Sequence, residues 1–109
     1  MKTKKRVWLS YDLGIMGDYE TLYQWLDEQN AKECGLNIAT FEVEIEEENI
    51  VDYLRESIGQ RVKIEKNSRI YVVYLQLSTT KVKGEFLFGN RKRAMWQGYA
   101  VSESEEIDA

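Results

Sequence analysis

Histidine is absent from this 109-residue chain, and cysteine occurs only at Cys34. Without histidine there is no imidazole base, no Ser-His or Cys-His nucleophile pair and no histidine metal site. One cysteine excludes an intramolecular disulfide and a structural zinc site of the usual kind. Any catalysis must therefore come from carboxylates, lysine or tyrosine, alone or with a hard metal such as magnesium. We expect Cys34 to be a small buried or half-buried residue, because no imidazole is present to activate its thiol.

Long apolar runs are also lacking. The basic start of the chain, MKTKKR, leads into a short strand-like segment and not into the roughly 7–15 apolar residues of a signal peptide. No stretch approaches the roughly 20 apolar residues that cross a membrane. The sequence therefore predicts a cytoplasmic protein with no membrane partner.

Acidic charge is unevenly distributed along the chain. There are 19 acidic and 15 basic residues, which gives a net charge of −4. Four acidic residues, Glu103, Glu105, Glu106 and Asp108, lie at the C-terminus, so the other 15 acidic residues balance the 15 basic ones. A neutral body neither favours nor excludes nucleic acid as a partner. The length suits one core, so we predict a single domain over residues 1–101 and a disordered acidic tail over 102–109.

The chain begins with a strand pattern and a helix pattern. Residues 7–13 are rich in strand formers and end at Gly14, which predicts a central first strand. Asp18 is placed as the N-cap of a helix that runs to about position 30 or 33. The apolar face of this helix, at helical spacing, consists of Tyr19, Leu22, Tyr23 and Leu26.

A second strand and a second helix follow. Alternation of apolar and polar residues over 40–45 predicts a half-buried strand. The acidic run 46–48 suits the N-terminus of a helix, and Gly59 is placed to end that helix as a C-terminal cap. The apolar face of the second helix consists of Ile50, Val51, Leu54 and Ile58.

The second half of the chain favours strands. Apolar Val62 and Ile64 alternate with polar Lys63 and Glu65, which predicts a short strand. Residues 70–75 form a nearly continuous apolar run of the kind found in buried central strands. A further strand over 82–88 has Gly84 as a candidate bulge. After it come a basic loop at 89–93 and an aromatic segment at 95–99.

The order of these elements predicts an α+β domain. The first helix is expected to connect two parallel strands by a right-handed crossover. We predict a ferredoxin-like sheet with both helices packed on one face, plus an additional C-terminal hairpin or strand.

Three short motifs together resemble a known family. They are LSYDL at 9–13, IATFEVE at 38–44 and RIYVVY at 69–74. Their order and spacing are similar to those of the small CRISPR-associated adaptation endonucleases and of their relatives, the virulence-associated protein D ribonucleases. The resemblance covers residues 7–75. The loop at 14–17 lacks the arginine common in the adaptation proteins, and residues 82–99 extend beyond the family's core.

This resemblance implies a role for Asp12. In the family an aspartate here ends the first strand, lies on a dimer axis and pairs with its copy to hold a magnesium ion. Asp12 is therefore the catalytic and metal-binding candidate, and Ser10 and Tyr11 are neighbours without an assigned role. From the residues alone, a carboxylate at the end of a central strand suits a ligand site. It equally suits a cap on the turn at Leu13 and Gly14.

A cluster of basic residues is the nucleic-acid-binding candidate. It consists of Arg91, Lys92 and Arg93, with Lys81 and Lys83 on the preceding hairpin. Trp96 and Tyr99 follow closely enough in sequence to offer stacking faces for bases. The alternative is a solvated loop whose neighbouring aromatic residues belong to the core.

Two functions follow from these features. One is a dimeric, magnesium-dependent nuclease, or a nucleic-acid-binding relative of one, acting on RNA or DNA. The other is a non-catalytic module, such as a toxin–antitoxin partner or a phage- or defence-associated modulator, that binds a protein through its extra strands. Asp12→Asn separates them, because a nuclease should lose cleavage while keeping its fold.

Overall fold

Strands and helices alternate along the first part of the chain and strands follow, as the sequence predicts. The computed structural model describes residues 3–46, 49–76 and 80–100, so the predicted tail at 102–109 lies outside the described residues. Within these ranges the elements are β1 (Thr3–Asp12), α1 (Tyr19–Glu28), β2 (Lys32–Glu33), β3 (Ile38–Ile45), α2 (Ile50–Gly59), β4 (Arg69–Gln76) and β5 (Lys81–Phe88). The α+β class is confirmed. No helix in the described ranges is long and apolar enough to cross a membrane.

The strands form one antiparallel sheet with β1 at its centre. Their order is β2-β3-β1-β4-β5, and every neighbouring pair is antiparallel. The predicted central position of the first strand is therefore confirmed. Because β1 and β2 are both antiparallel to β3, they run in the same direction, with β3 between them. Helix α1 connects these two strands.

Only one face of the sheet is covered by helices. On β1, Val7 and Leu9 are fully buried, whereas the residues directly next to them, Arg6, Trp8 and Ser10, point to the opposite face. The ring of Trp25 in α1 packs edge-on at 5.4 Å from the ring of Phe41 in β3. The indole of Trp25 also donates a hydrogen bond of 3.0 Å to Ser57 in α2. Both helices thus share one core and pack on one face, as predicted, and we call the opposite side the open face.

Helix α1 begins at the predicted cap. The Asp18 carboxylate accepts hydrogen bonds from the backbone N–H of Thr21 at 3.3 Å and of Lys63 at 2.9 Å. These hydrogen bonds lower the pKa of Asp18 below its ordinary value, and the bond from the Lys63 N–H contributes most. The predicted apolar face needs one correction: Trp25 is buried with Leu22 and Leu26, whereas Tyr23 is half exposed. The helix ends at Glu28, earlier than predicted.

Helix α2 buries the predicted apolar face, but its ends differ. Its N-cap is Asn49, whose side chain accepts a hydrogen bond of 3.1 Å from the Asp52 N–H. Of the acidic run predicted to begin this helix, residues 47 and 48 lie outside the described ranges. Gly59 is the last helical residue and not the cap, a position taken by Gln60 in right-handed helical conformation.

Three further predictions were wrong. Residues 62–64 are not a strand, because the Val62 N–H bonds back to the Ile58 carbonyl at 2.8 Å and continues the turn after α2. The bulge in β5 is not at Gly84: the register shifts between Ile70 and Tyr71 of β4, which leaves Leu87 as the extra residue. Cys34 is exposed, because it follows the two-residue strand β2 at the edge of the sheet.

Candidate functional site

Residues from three strands and one loop meet at one end of the open face. Asp12 on β1 lies directly opposite Arg69 on β4, and Ser10 lies opposite Tyr71. Tyr71 in turn lies opposite Phe86 on β5. Together with the loop after β5 these residues line a cavity of about 320 Å³, and its lining consists of Ser10, Asp12, Arg69, Tyr71, Phe86 and Arg91. We call it the Arg91 cavity.

Arg91 lies over two aromatic rings. Its guanidinium carbon lies 6.0 Å from the ring centroid of Tyr71 and 5.8 Å from that of Phe86. The two rings contact each other edge-on, with centroids 4.8 Å apart. A cation above an aromatic face is attracted by the negative charge of the ring's π-system. At an exposed residue such as Arg91 this attraction contributes about 0.5–1 kcal/mol and favours a position of the guanidinium near the rings.

Arg69 brings a second guanidinium to the cavity. Its Nε is buried and has no hydrogen-bond partner among the residues that the structure describes. A buried N–H without an acceptor costs about 1–3 kcal/mol, and because this atom is closed to solvent, a ligand acceptor reaches it only when the Arg69 side chain moves. Gly89, which turns the chain after β5 with φ of +83°, packs against Arg69: a Cβ on Gly89 would lie 2.8 Å from Arg69 Cγ.

The ring of Tyr71 extends diagonally across β5 to Gly84, the register partner of Val73, where no side chain excludes it. A Cβ on Gly84 would lie 2.2 Å from the Tyr71 hydroxyl oxygen, far inside van der Waals contact. The phenol therefore lies over the bare backbone of Gly84. This close approach, and not a bulge, explains the glycine in the middle of β5.

Asp12 caps the turn after β1. Its Oδ1 accepts a hydrogen bond of 3.0 Å from the Gly14 N–H, and Gly14 has φ of +77°. The turn-capping contact expected from the sequence is thus present, and the same carboxylate lines the Arg91 cavity. Tyr11 points to the other face, where its ring lies 6.2 Å from that of Tyr23. Burial, followed by the charges of Tyr23, Tyr19 and Glu33, raises the pKa of Tyr11.

Magnesium does not fit the donors of a single chain. Asp12 is the one carboxylate lining the cavity, and it shares that cavity with two guanidinium groups, which repel a cation. In the described part of the chain no group of three or more carboxylate or cysteine side chains is placed to hold a metal ion. A magnesium site at Asp12 would therefore need a second carboxylate from another molecule.

The predicted basic cluster is divided between two faces. Lys83 lies opposite Tyr74 and Lys81 opposite Gln76. Tyr74 packs against the core on the helix-covered face, and residues directly opposite each other share a face. Lys81 and Lys83 are therefore directed to the face opposite the Arg91 cavity.

The rest of the basic loop and the aromatic segment are exposed. Lys92 and Arg93 follow Arg91 on the surface. Trp96 and Tyr99 are 77% and 82% exposed, so the alternative that places them in the core is wrong. Nucleic-acid binding by Lys92, Arg93, Lys81 and Lys83 stays a prediction.

Sequence reasoning missed three members of the cavity. The sequence pattern assigns Arg69 and Tyr71 only to a strand motif, and Phe86 only to a strand. The alternation in RIY was a usable signal, because a buried Ile70 directs Arg69 and Tyr71 to the opposite face. Phe86 could not be placed in the same way, because the bulge at Leu87 changes the register of β5.

Known proteins add no information about this cavity. No protein-family model, curated protein or solved structure matches the chain. The function is therefore argued from the geometry of the open face.

Proposed function

We propose that this protein binds nucleic acid through the Arg91 cavity. The observation that supports the proposal most directly is the Arg91 guanidinium, which lies over the rings of Tyr71 and Phe86 in a cavity that Arg69 also lines. Guanidinium groups bind phosphate oxygens through paired N–H donors. A phosphate in the cavity would meet the guanidinium of Arg91 and the side chain of Arg69 in the cavity wall.

The aromatic setting of Arg91 favours a nucleotide over a simple anion. Unpaired bases stack on aromatic rings and on guanidinium planes. Because contact with Tyr71 and Phe86 already favours one position of Arg91, less side-chain entropy is lost when a base or a phosphate docks against it. Ser10 and Asp12 add hydrogen-bonding groups at the cavity rim, where they can contact a base edge or a sugar hydroxyl.

The test is a binding titration with labelled RNA and DNA at several salt concentrations, followed by fluorescence anisotropy. Arg91→Gln should weaken binding about 10- to 100-fold, the range for a lost charge-assisted hydrogen bond. It should also reduce the slope of log K against log salt by about 0.7–0.9. Lys83→Gln is the matched control, since it removes one charge from β5 on the opposite face. Equal losses in both variants would show non-specific charge attraction and contradict the proposal.

A ferredoxin-like fold, extended by β5, is part of this proposal. The order β1-α1-β2-β3-α2-β4 and the packing of both helices on one face support it. A cytoplasmic homodimer with magnesium-dependent nuclease activity is the further step that the resemblance implies. The resemblance alone carries this step, which requires a second copy to bring two Asp12 carboxylates together beside the guanidinium groups of the Arg91 cavity.

A protein-interaction module is the second candidate. Met95, Trp96 and Tyr99 are 90%, 77% and 82% exposed, and exposed aromatic residues are common anchors of protein interfaces. Under this alternative, Trp96→Ala should abolish capture of a protein partner and leave nucleic-acid binding unchanged. Under our proposal, Arg91→Gln should have the opposite pattern of effects.

A further inference from the structure

The open face has a second aromatic surface next to the Arg91 cavity. Trp8 on β1 is 39% exposed, although Val7 and Leu9 on either side of it are fully buried. Successive side chains of a strand point to opposite faces, so the indole is directed away from the helices. Its neighbours on the adjacent strands, Thr40 and Val73, are small and leave the ring accessible.

Trp8 lies within one nucleotide's reach of the cavity. Ser10, two residues further along β1, is paired with Tyr71, and Trp8 itself is paired with Val73. With a rise of about 3.4 Å per residue, the row of Trp8 lies about 7 Å from the row of Ser10 and Tyr71. The open face therefore offers an indole and an arginine–aromatic stack side by side.

We infer that the open face binds single-stranded nucleic acid, with a base stacked on Trp8 and the adjoining backbone held by Arg91 and Arg69. This inference rests on the proposed function and adds a substrate class and a further binding residue. The bases of a single strand can be splayed out and stacked on aromatic side chains. In a duplex the base faces are covered by neighbouring base pairs, so an indole on a sheet face has nothing to stack on.

The charges on the open face indicate the path that a single-stranded nucleic acid would take across it. On β3, Glu42 and Glu44 are exposed, and Arg6 is paired with Glu42 at 2.9 Å. The side towards β4 and β5 is apolar beside Trp8 and cationic at the Arg91 cavity. Lys4 lies opposite Glu44 in the same way, so cations of β1 balance the β3 carboxylates, whereas the Arg91 cavity has one positive charge in excess. This excess favours a polyanion across β1, β4 and β5.

The same charges disfavour a second copy of the chain as the occupant. A two-fold dimer presents the same patch on both partners. Centred on this face, it would bring two guanidinium groups and one carboxylate of each chain towards the same set of the other, which leaves one unpaired positive charge per chain removed from water. Burying like charges without new acceptors is costly, whereas phosphates supply acceptors.

The first experiment compares one labelled sequence as a single strand and as a blunt duplex. The wild-type protein should bind the single strand at least about tenfold more tightly than the duplex. Trp8→Leu, which keeps an apolar strand residue but removes the aromatic face, should weaken single-strand binding about 5- to 150-fold, the range for loss of one base–aromatic stack. Trp8→Phe should retain most of the affinity. Tyr53→Leu is the matched control and should bind like the wild type, because Tyr53 is also 39% exposed but lies on helix α2, on the other side of the sheet.

A second measurement does not depend on substitution at Trp8. In a Trp96→Phe protein the remaining tryptophans are Trp8 and Trp25, and Trp25 is 2% exposed. An aqueous quencher should therefore act on Trp8 alone. Saturating single-stranded oligonucleotide should protect this fluorescence from the quencher, and the duplex should not.

The outcomes separate the inference from the proposed function. If the wild-type protein binds single-stranded and duplex nucleic acid equally, and folded Trp8→Leu keeps the full affinity, the inference is overturned while nucleic-acid binding stands. No binding of either ligand by the folded protein would remove the proposed function and the inference with it. A Trp8→Leu variant that changes the oligomeric state measured by light scattering, and not the affinity, would assign the open face to a second copy and overturn the inference.

Discussion

At the scale of single residues, the closest constraint is between Gly84 and Tyr71. A Cβ at position 84 would lie 2.2 Å from the Tyr71 hydroxyl and 2.8 Å from Cζ, so the rigid ring must move. We expect the steric clash in Gly84→Ala to destabilise the protein by about 1–3 kcal/mol. Alanine costs roughly 0.5–1 kcal/mol less than glycine to order in a strand, so the net loss of stability is smaller by that amount. Urea unfolding measures the difference.

The same pair can be isolated by a double-mutant cycle. In a Tyr71→Leu background the alanine has no ring to displace, so Gly84→Ala should cost little or become stabilising. The single Gly84→Ala variant should also bind nucleic acid less tightly, because Arg91 loses its Tyr71 support. The same cost of Gly84→Ala in both backgrounds would contradict this account of the glycine.

At the scale of elements, Arg55 joins helix α2 to the bulged end of β5. Its Nε and Nη2 donate to the carbonyls of Leu87 at 2.9 Å and Phe86 at 3.2 Å. The bulge disrupts the regular ladder here, and the guanidinium satisfies two of its carbonyls. We expect Arg55→Lys to lose about 1–3 kcal/mol in urea unfolding, because an ammonium cannot span both acceptors.

Arg61 provides the matched comparison for Arg55. It makes a two-point ion pair with Glu28 on the protein surface. Exposed pairs contribute about 0–1 kcal/mol, so Arg61→Lys should cost less than Arg55→Lys. A larger loss in Arg61→Lys would show that the ion pair between α1 and the turn after α2, and not the support of the bulge, stabilises this side of the molecule.

The spacing of apolar residues along the chain predicted the helices and longer strands well, but it did not predict which elements contact each other. Alternation predicted β3, and helical spacing predicted the buried face of α2, because each depends on a single burial boundary. The two-residue strand β2 has too few residues to show a period. Val62 is buried like a strand residue, but its burial follows from the turn after α2. Trp25 replaces Tyr23 in the core because the indole fits between Phe41 and Ser57.

At the scale of the whole molecule, the cavity depends on strand order. Asp12, Arg69 and Arg91 are far apart in sequence and meet because β4 pairs with β1 and β5 pairs with β4. Sequence identified Asp12 and Arg91 separately, from a strand end and a charge cluster. It could not join them, and it could not separate Lys81 and Lys83 from Arg91, because both results depend on long-range pairing and on the register after the bulge.

Magnesium provides the test at this scale. The cavity of one chain has two guanidinium groups and a single carboxylate, so we expect EDTA to leave nucleic-acid binding unchanged. If two copies bring their Asp12 carboxylates together, magnesium should bind at one ion per two chains, and Asp12→Asn should abolish both metal binding and cleavage. Calorimetry with magnesium alone, light scattering and a cleavage assay on the same samples measure these quantities. Binding that is lost in EDTA would contradict an arginine-based site and favour the metal-dependent dimer.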